Sequence, residues 1–343
     1  MKKPLRFAVC GAGFWSHYQL NGWRELRREV ECVAVYNRTR SKAEALAAKF
    51  GIPAVYDDPK ELFAREQLDF ADIITEVPGH APLTLMAARA GVGVICQKPM
   101  APDLKTAVRM TAACRQASVP FFVHENWRYQ STAQELKRVL RSGVIGKVFR
   151  ARIDMNSGFP LFENQPFLKT LKQFIITDLG SHTLDAARFL FGEAKSVYCQ
   201  TAKVHADIAG EDVATILLAM KNGASVAVNM AYAGNPLEHE AFPQTAYFVE
   251  GEKGSIIVSP DYWIRVTTSN GTHARRVPPK RYAWANPAYD AVHASIVDCN
   301  RAILRALQGR AASETTGADN LETVRLVFAS YDSAKRGRVV KLD

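Results

Sequence analysis

The chain has 343 residues, 48% of them apolar, with 44 lysines and arginines against 34 carboxylates and a formal net charge of +10. That apolar share supplies two cores of ordinary size and argues against a disordered or low-complexity chain. The basic residues are spread out, with only short clusters such as Arg275-Arg276 and Lys280-Arg281, so no nucleic-acid partner is expected.

No segment approaches the roughly 20 consecutive apolar residues that span a bilayer, so no membrane partner is expected. The start, MKKPLRFAVCGAGF, imitates a signal peptide, but Gly11 and Gly13 cut its apolar run short. It reads as a strand entering a turn, in a soluble, cytoplasmic protein. The six cysteines are scattered and form no CxxC pair, which indicates neither a disulfide framework nor a metal site.

Up to residue 125, strand and helix signals alternate. Leu5 to Cys10 is a short apolar run, Phe14 to Arg28 is helix-like, and Val30 to Tyr36 is rich in β-branched residues. A helix opening on Ser41 as N-cap and closing on Gly51 as C-cap follows. Asp72 to Thr75, Gly91 to Cys96 and Pro120 to Val123 are further strands. Strands apolar on both faces and separated by helices predict a doubly wound parallel sheet in residues 1–125.

From residue 126 to 343 the pattern becomes α+β. Helices are predicted at about 130–142, 177–191, 288–308 and 317–336. Strands are predicted at 148–155, 196–204, 213–220, 224–231, 245–250, 254–258 and 262–268. Turns such as Lys221-Asn222-Gly223 and Ser269-Asn270-Gly271 make this sheet mostly antiparallel.

The first strand ends in Cys10-Gly11-Ala12-Gly13-Phe14-Trp15-Ser16, a dinucleotide fingerprint with Ser16 in place of the third glycine. Gly11 permits the tight turn, and Gly13 lets the backbone approach a pyrophosphate at the helix N-terminus. The second strand ends Tyr36-Asn37-Arg38-Thr39-Arg40, without the acid that an NAD site places against the ribose hydroxyls. Asn37 tolerates a 2′-phosphate, and Arg38 and Thr39 can bind one, so NADP(H) is favoured, with NAD(H) the alternative.

The fifth strand runs Val94-Ile95-Cys96-Gln97-Lys98-Pro99-Met100. Its carboxyl end faces the ligand crevice of an open α/β sheet, and Pro99 restricts the lysine before it, so Lys98 is aimed at bound ligand. A surface lysine opening a loop is an equally open reading. In Thr177-Asp178-Leu179-Gly180-Ser181-His182, a helix capped by Thr177 places Asp178 and His182 on one face at i and i+4. Such a pair suits proton transfer, though a structural pair is also open.

These three landmarks together resemble the glucose-fructose oxidoreductase / inositol dehydrogenase family, Gfo/Idh/MocA, over nearly the whole chain. GAGFW resembles its glycine turn, CQKPMA its EKP motif, and DLGSHTLDAARFLFG its DxGxH helix. The resemblance implies an NAD(P)-binding Rossmann domain followed by a substrate-binding and oligomerisation domain with a large open sheet, commonly a homodimer or homotetramer. It implies Lys98, Asp178 and His182 as the catalytic group. Cofactor contacts would fall on Gly11, Gly13, Phe14, Trp15, Asn37, Arg38, Thr39, Thr75, Glu76, His80, Gln97 and Lys98. Gln97 departs from the family's glutamate, Asn37 from its acid, and the stretch Thr75-Glu76-Val77-Pro78-Gly79-His80 from the proline and asparagine that the family more often has ahead of the histidine.

Runs such as VICQKPMAP, FFVHENWRYQS, GEDVAT and SETTGADNL resemble sugar dehydrogenases related to the apiose dehydrogenases, which oxidise an aldose at the anomeric carbon to a lactone. The expectation is therefore a dehydrogenase for a sugar or polyol, with Asn126, Arg128, Phe159, Phe167, Tyr289 and His293 as candidate substrate contacts. A redox-neutral or imine- or ketone-reducing enzyme, and a cofactor-binding regulator without catalysis, are the alternatives.

Overall fold

The computed structural model describes residues 3–238 and 240–342. Packing divides the chain into two compact units. The first holds the chain up to Asn126 with Tyr282–Asn286 and Ile296–Val324; the second holds Trp127–Arg281, Pro287–Ser295 and the chain from Arg325 on.

The first unit contains β1 (Leu5–Cys10), α1 (Phe14–Arg24), β2 (Val30–Tyr36), α2 (Arg40–Phe50), β3 (Ala54–Tyr56) and α3 (Pro59–Arg65). It continues with β4 (Phe70–Ile73), α4 (Val77–Arg89), β5 (Gly93–Cys96), α5 (Leu104–Gln116) and β6 (Phe121–Val123). The sheet is parallel in the order β3-β2-β1-β4-β5-β6. The order reverses between β1 and β4, which opens a crevice at their carboxyl ends. Strands β4 and β5 are buried at every position, as strands covered on both faces must be. Phe7 stacks on Phe70 at 4.9 Å with Trp23 beside it at 5.3 Å.

Two local expectations are corrected here. Thr39 occupies the N-cap of α2, two residues before Ser41, while Gly51 closes the helix in the left-handed region at φ 69° as expected. The pair β3 and α3 escaped the pattern because β3 has three half-buried residues and no alternation. The Asp58-Pro59 start of α3 is nevertheless orthodox, with Asp58 accepting from the amide of Lys60 at 2.8 Å.

The second unit contains α6 (Ser131–Arg141), β7 (Val148–Asn156), α7 (Leu161–Asn164), α8 (Ile175–Asp178), α9 (Gly180–Phe191), β8 (Ala194–Ala202), β9 (Val213–Met220) and β10 (Ser225–Ala231). Then come β11 (Ala246–Gly251), β12 (Gly254–Ser259), β13 (Trp263–Thr268) and β14 (Gly271–Arg276). Helices α10 (Asp290–Leu307) and α11 (Gly317–Arg336) contribute to both units, and β15 (Val340–Lys341) closes the chain. The nine strands lie in the order β14-β13-β12-β11-β7-β10-β9-β8-β15, antiparallel except for the β7–β10 pair. Strand β9 alternates buried and exposed residues, the pattern of a sheet with one covered face.

The expected helix at 177–191 is split. It begins at Ile175 rather than after a Thr177 cap, and Leu179 interrupts it before Gly180. Asp178 therefore ends one helical turn and His182 stands in the first turn of the next.

Candidate active site

In the first unit, Gly11 has φ +121°, and a Cβ there would lie 2.6 Å from the carbonyl oxygen of Ile74; only glycine fits. A Cβ on Gly13 would meet nothing within 4 Å, so the backbone over the N-terminus of α1 is open to a ligand. Ser16 is buried and its hydroxyl donates to the Gly11 carbonyl at 2.8 Å, closing the turn as a small residue should.

Asn37 does more bracing than expected. Its Oδ1 accepts from the amide of Ala12 at 3.1 Å and its Nδ2 donates to the Thr39 carbonyl at 3.0 Å. The side chain thus ties the glycine turn to the end of β2. Arg38 and Thr39 are exposed beside it, and Thr39 makes no side-chain capping bond to α2.

Three buried polar atoms follow the strands that border the crevice. Trp15 Nε1 after β1, Thr75 Oγ1 after β4 and Gln97 Nε2 after β5 have no hydrogen-bond partner among the described residues. Buried polar groups are normally satisfied, and a dinucleotide laid across these strand ends would satisfy them. Phe14, 74% exposed, and the exposed Glu76 flank the same turns. These residues fit a nicotinamide dinucleotide.

Lys98 is half-buried after β5, and the Lys98–Pro99 peptide bond is cis. The Gln97 amide donates to the Ile73 carbonyl at 3.0 Å, extending the β4–β5 pairing to the residue before the lysine. His80, expected at the cofactor, braces this scaffold. It is buried, with Nε2 3.0 Å from the Thr75 carbonyl and Nδ1 3.1 Å from that of Pro99. Burial holds its pKa below the ordinary histidine value, against the raising effect of its backbone carbonyl contacts, and the ring links the turn after β4 to the lysine loop.

In the second unit, Asp178 is half-buried and His182 is buried. The His182 ring lies parallel to the indole of Trp127, with centroids 4.2 Å apart. Arg128, a candidate substrate contact, is engaged within the protein: its Nε and Nη2 donate to Asp185 Oδ2 and Oδ1, both at 2.6 Å, with both side chains buried. Asn126 is likewise buried.

The aromatic candidates separate into two groups. Phe159 stacks on Phe242 at 4.8 Å and meets Tyr289 edge-on at 5.9 Å. Phe167, 60% exposed, stands on the short turn Pro166–Thr170. His293, next to Tyr289, is buried, and burial pushes it down to about 4, so it is a neutral ring at physiological pH. Sequence reasoning missed Phe242 and Glu240. Glu240 accepts from Ser157 Oγ at 2.9 Å, the Gly158 amide at 2.6 Å and the Phe242 amide at 3.0 Å, and so fastens the two aromatic loops together. Nothing in their local pattern marks them, because each acts through a loop distant in sequence.

A family model described as an oxidoreductase family with a NAD-binding Rossmann fold, GFO_IDH_MocA, matches residues 5–125. The GFO/IDH/MocA C-terminal domain model matches residues 133–257. A D-apiose dehydrogenase of Paraburkholderia graminis is 41% identical over 99% of this chain and 90% of that protein. One from Rhizobium rhizogenes is 39% identical over 98% of this chain and 97% of that protein. The crystal structure of an oxidoreductase from Agrobacterium radiobacter in complex with NAD+, L-tartaric acid and magnesium superposes with a TM-score of 0.96 at 39% identity, covering 99% of this chain and 98% of that one.

Proposed function

The chain belongs to the GFO/IDH/MocA oxidoreductase family, and from that premise we propose that it oxidises a sugar hydroxyl, with the anomeric carbon of an aldose as the reacting centre and a lactone as product. The two full-length relatives named D-apiose dehydrogenases support an aldose. The observation that carries the chemistry is the imidazole of His182 held flat against Trp127, one turn beyond Asp178.

In this reading His182 takes the proton of the substrate hydroxyl as general base. Lys98 donates to the same oxygen and stabilises the alkoxide, worth on the order of 3 kcal/mol in a dry site. Asp178 balances their charge and orients them. The nicotinamide, when bound, supplies the hydride acceptor. Residues 1–125 bind cofactor, and residues 126–343 bind substrate and assemble the oligomer.

The phosphorylated cofactor is part of the proposal: β2 ends without a carboxylate, and Arg38 and Thr39 stand exposed there. The second reading, NAD, is favoured by the NAD+ in the structure of the 39% identical oxidoreductase. A homodimer or homotetramer is supported by the outward row Ile257, Phe248, Arg152, Ala227, Leu217 and Tyr198, which strand pairing sets side by side. In that row Ile257 and Leu217 are large exposed apolar residues.

The test is purified protein with NAD or NADP and a panel of aldoses led by D-apiose, with inositols and polyols, followed by the absorbance of reduced nicotinamide. Reduction with an aldose and loss of about 10²-fold in kcat in Lys98→Met are expected. Failure with every sugar and polyol on both cofactors overturns the reading.

A further inference from the structure

Helix α8 is one turn of four residues, too short to hold itself together. Its first amides have no partner within the turn and are taken up by two residues from elsewhere in the second unit. Glu211, in the loop before β9, accepts from the amides of Phe174 at 3.1 Å and Ile176 at 3.3 Å through the same Oε1. Its own carbonyl accepts from the amide of Ile175 at 3.2 Å. Tyr331, on α11, accepts through its phenolic oxygen from the amide of Thr177 at 3.1 Å and from the Thr177 hydroxyl at 3.2 Å. Tyr331 in turn donates to Glu211 Oε1 at 2.7 Å, so the two anchors are one connected unit.

Four successive amides, 174 to 177, are thereby fastened to Glu211 and Tyr331, and the next residue is Asp178. From Asp178 the chain passes through Leu179 into α9: the Ser181 hydroxyl donates to the Asp178 carbonyl at 2.8 Å and the His182 amide to the Leu179 carbonyl at 3.0 Å. The approach of the anchoring loop is close by construction. A Cβ on Gly210 would lie 2.5 Å from the Leu171 carbonyl oxygen and 3.1 Å from Phe174 Cβ, so a side chain at 210 would push Glu211 off the turn.

We infer that Glu211 and Tyr331 are positioning residues that set the placement of Asp178 and His182 by holding the turn between Phe174 and Asp178 from outside it. The inference rests on the reading of Asp178 and His182 as reacting groups. Neither anchor touches substrate in this scheme; each acts through the backbone of the turn. Small displacements of reacting groups are expensive in rate, about 10²-fold for 1 Å.

The experiment uses the full chain with Glu211→Ala, Glu211→Gln and Tyr331→Phe, read by amide hydrogen exchange across residues 171–182 and by steady-state kinetics. Glu211→Ala is expected to speed exchange at 174–177 by about 10-fold or more and to lower kcat by roughly 10²-fold, with the cofactor KM unchanged. Glu211→Gln, which keeps an accepting oxygen, is expected to restore most of both. Tyr331→Phe removes one oxygen atom and is expected to show a smaller loss of about 10-fold; it carries the test if Glu211→Ala does not fold.

Unchanged exchange in Tyr331→Phe and in every folded Glu211 variant, or faster exchange with undiminished kcat, overturns the inference. Asp178→Asn and His182→Asn are measured alongside. Full activity in those two overturns the underlying reading, while the exchange data still report on the anchor.

Discussion

The indole of Trp127 and the imidazole of His182 lie face to face, 4.2 Å between centroids and 6° from parallel. The contact fixes the plane of a ring that the proposed chemistry needs held still, and a stacked pair of this kind is worth roughly 0.5–1.5 kcal/mol. If that energy is expressed as orientation, Trp127→Ala lowers kcat by about 10-fold, and Trp127→Phe, which keeps a smaller aromatic face, recovers a good part of it. Equal kcat in the alanine and wild-type enzymes would show that His182 needs no such support.

Arg128 and Asp185 make a bidentate pair with 4% and 0% of their side-chain surface exposed. Removing one partner strands a buried charge, so Arg128→Ala is expected to destabilise the fold by about 3–5 kcal/mol in urea unfolding. Replacing both by apolar residues of similar volume, Arg128→Met with Asp185→Leu, is expected to cost far less. A stable Arg128→Ala enzyme with a raised sugar KM would return Arg128 to the substrate contacts.

The contrast between these two neighbours shows what a linear reading can reach. Trp127 and Arg128 look alike in sequence, two large residues after the last strand of the first sheet, yet one stacks on the candidate base and the other is buried against Asp185. Periodicity finds β9 and α11 to the residue because each buries one face regularly. It misses β14, where all six residues are exposed and no alternation exists. The break at Leu179 is likewise invisible locally, because the amides before it are satisfied by Glu211 and Tyr331. The position of Lys98 just after β5 could be read from the apolar run before it; the role of Glu240 could not, since it fastens loops that only the folded chain brings together.

Asn37 braces the glycine turn, and the proposed preference for NADP therefore rests on Arg38 and Thr39. Arg38→Ala is therefore expected to raise the KM for NADP by about 10-fold, the loss of one charge-assisted contact to a phosphate, with NAD kinetics little changed. Asn37→Ala is expected to weaken both cofactors together, since it loosens the turn that each uses. An NADP KM unaltered by Arg38→Ala would assign the enzyme to NAD.

Asp72 sits fully buried in the middle of β4. Its Oδ2 accepts from Trp23 Nε1 at 2.6 Å and Gln19 Nε2 at 3.0 Å, while Oδ1 has no partner among the described residues. Gln19 continues to Asn300 Oδ1 at 3.1 Å, and His124 Nε2 lies 2.9 Å from the same oxygen. Burial raises the carboxyl from 3.8 to about 6, against the lowering by its two hydrogen bonds. The folded state therefore binds a proton that the unfolded chain has already released between pH 4 and 6. Stability from this group is full below pH 4, falls as pH rises through that window, and levels off above it by about 3 kcal/mol. In Asp72→Asn that component is absent, so the difference in unfolding free energy between variant and wild type should shift in favour of the variant by about that amount from pH 4 to pH 7. Urea melts of both proteins at pH 4, 5, 6 and 7 measure it, and parallel curves would mean that folding leaves the Asp72 carboxyl at its ordinary value.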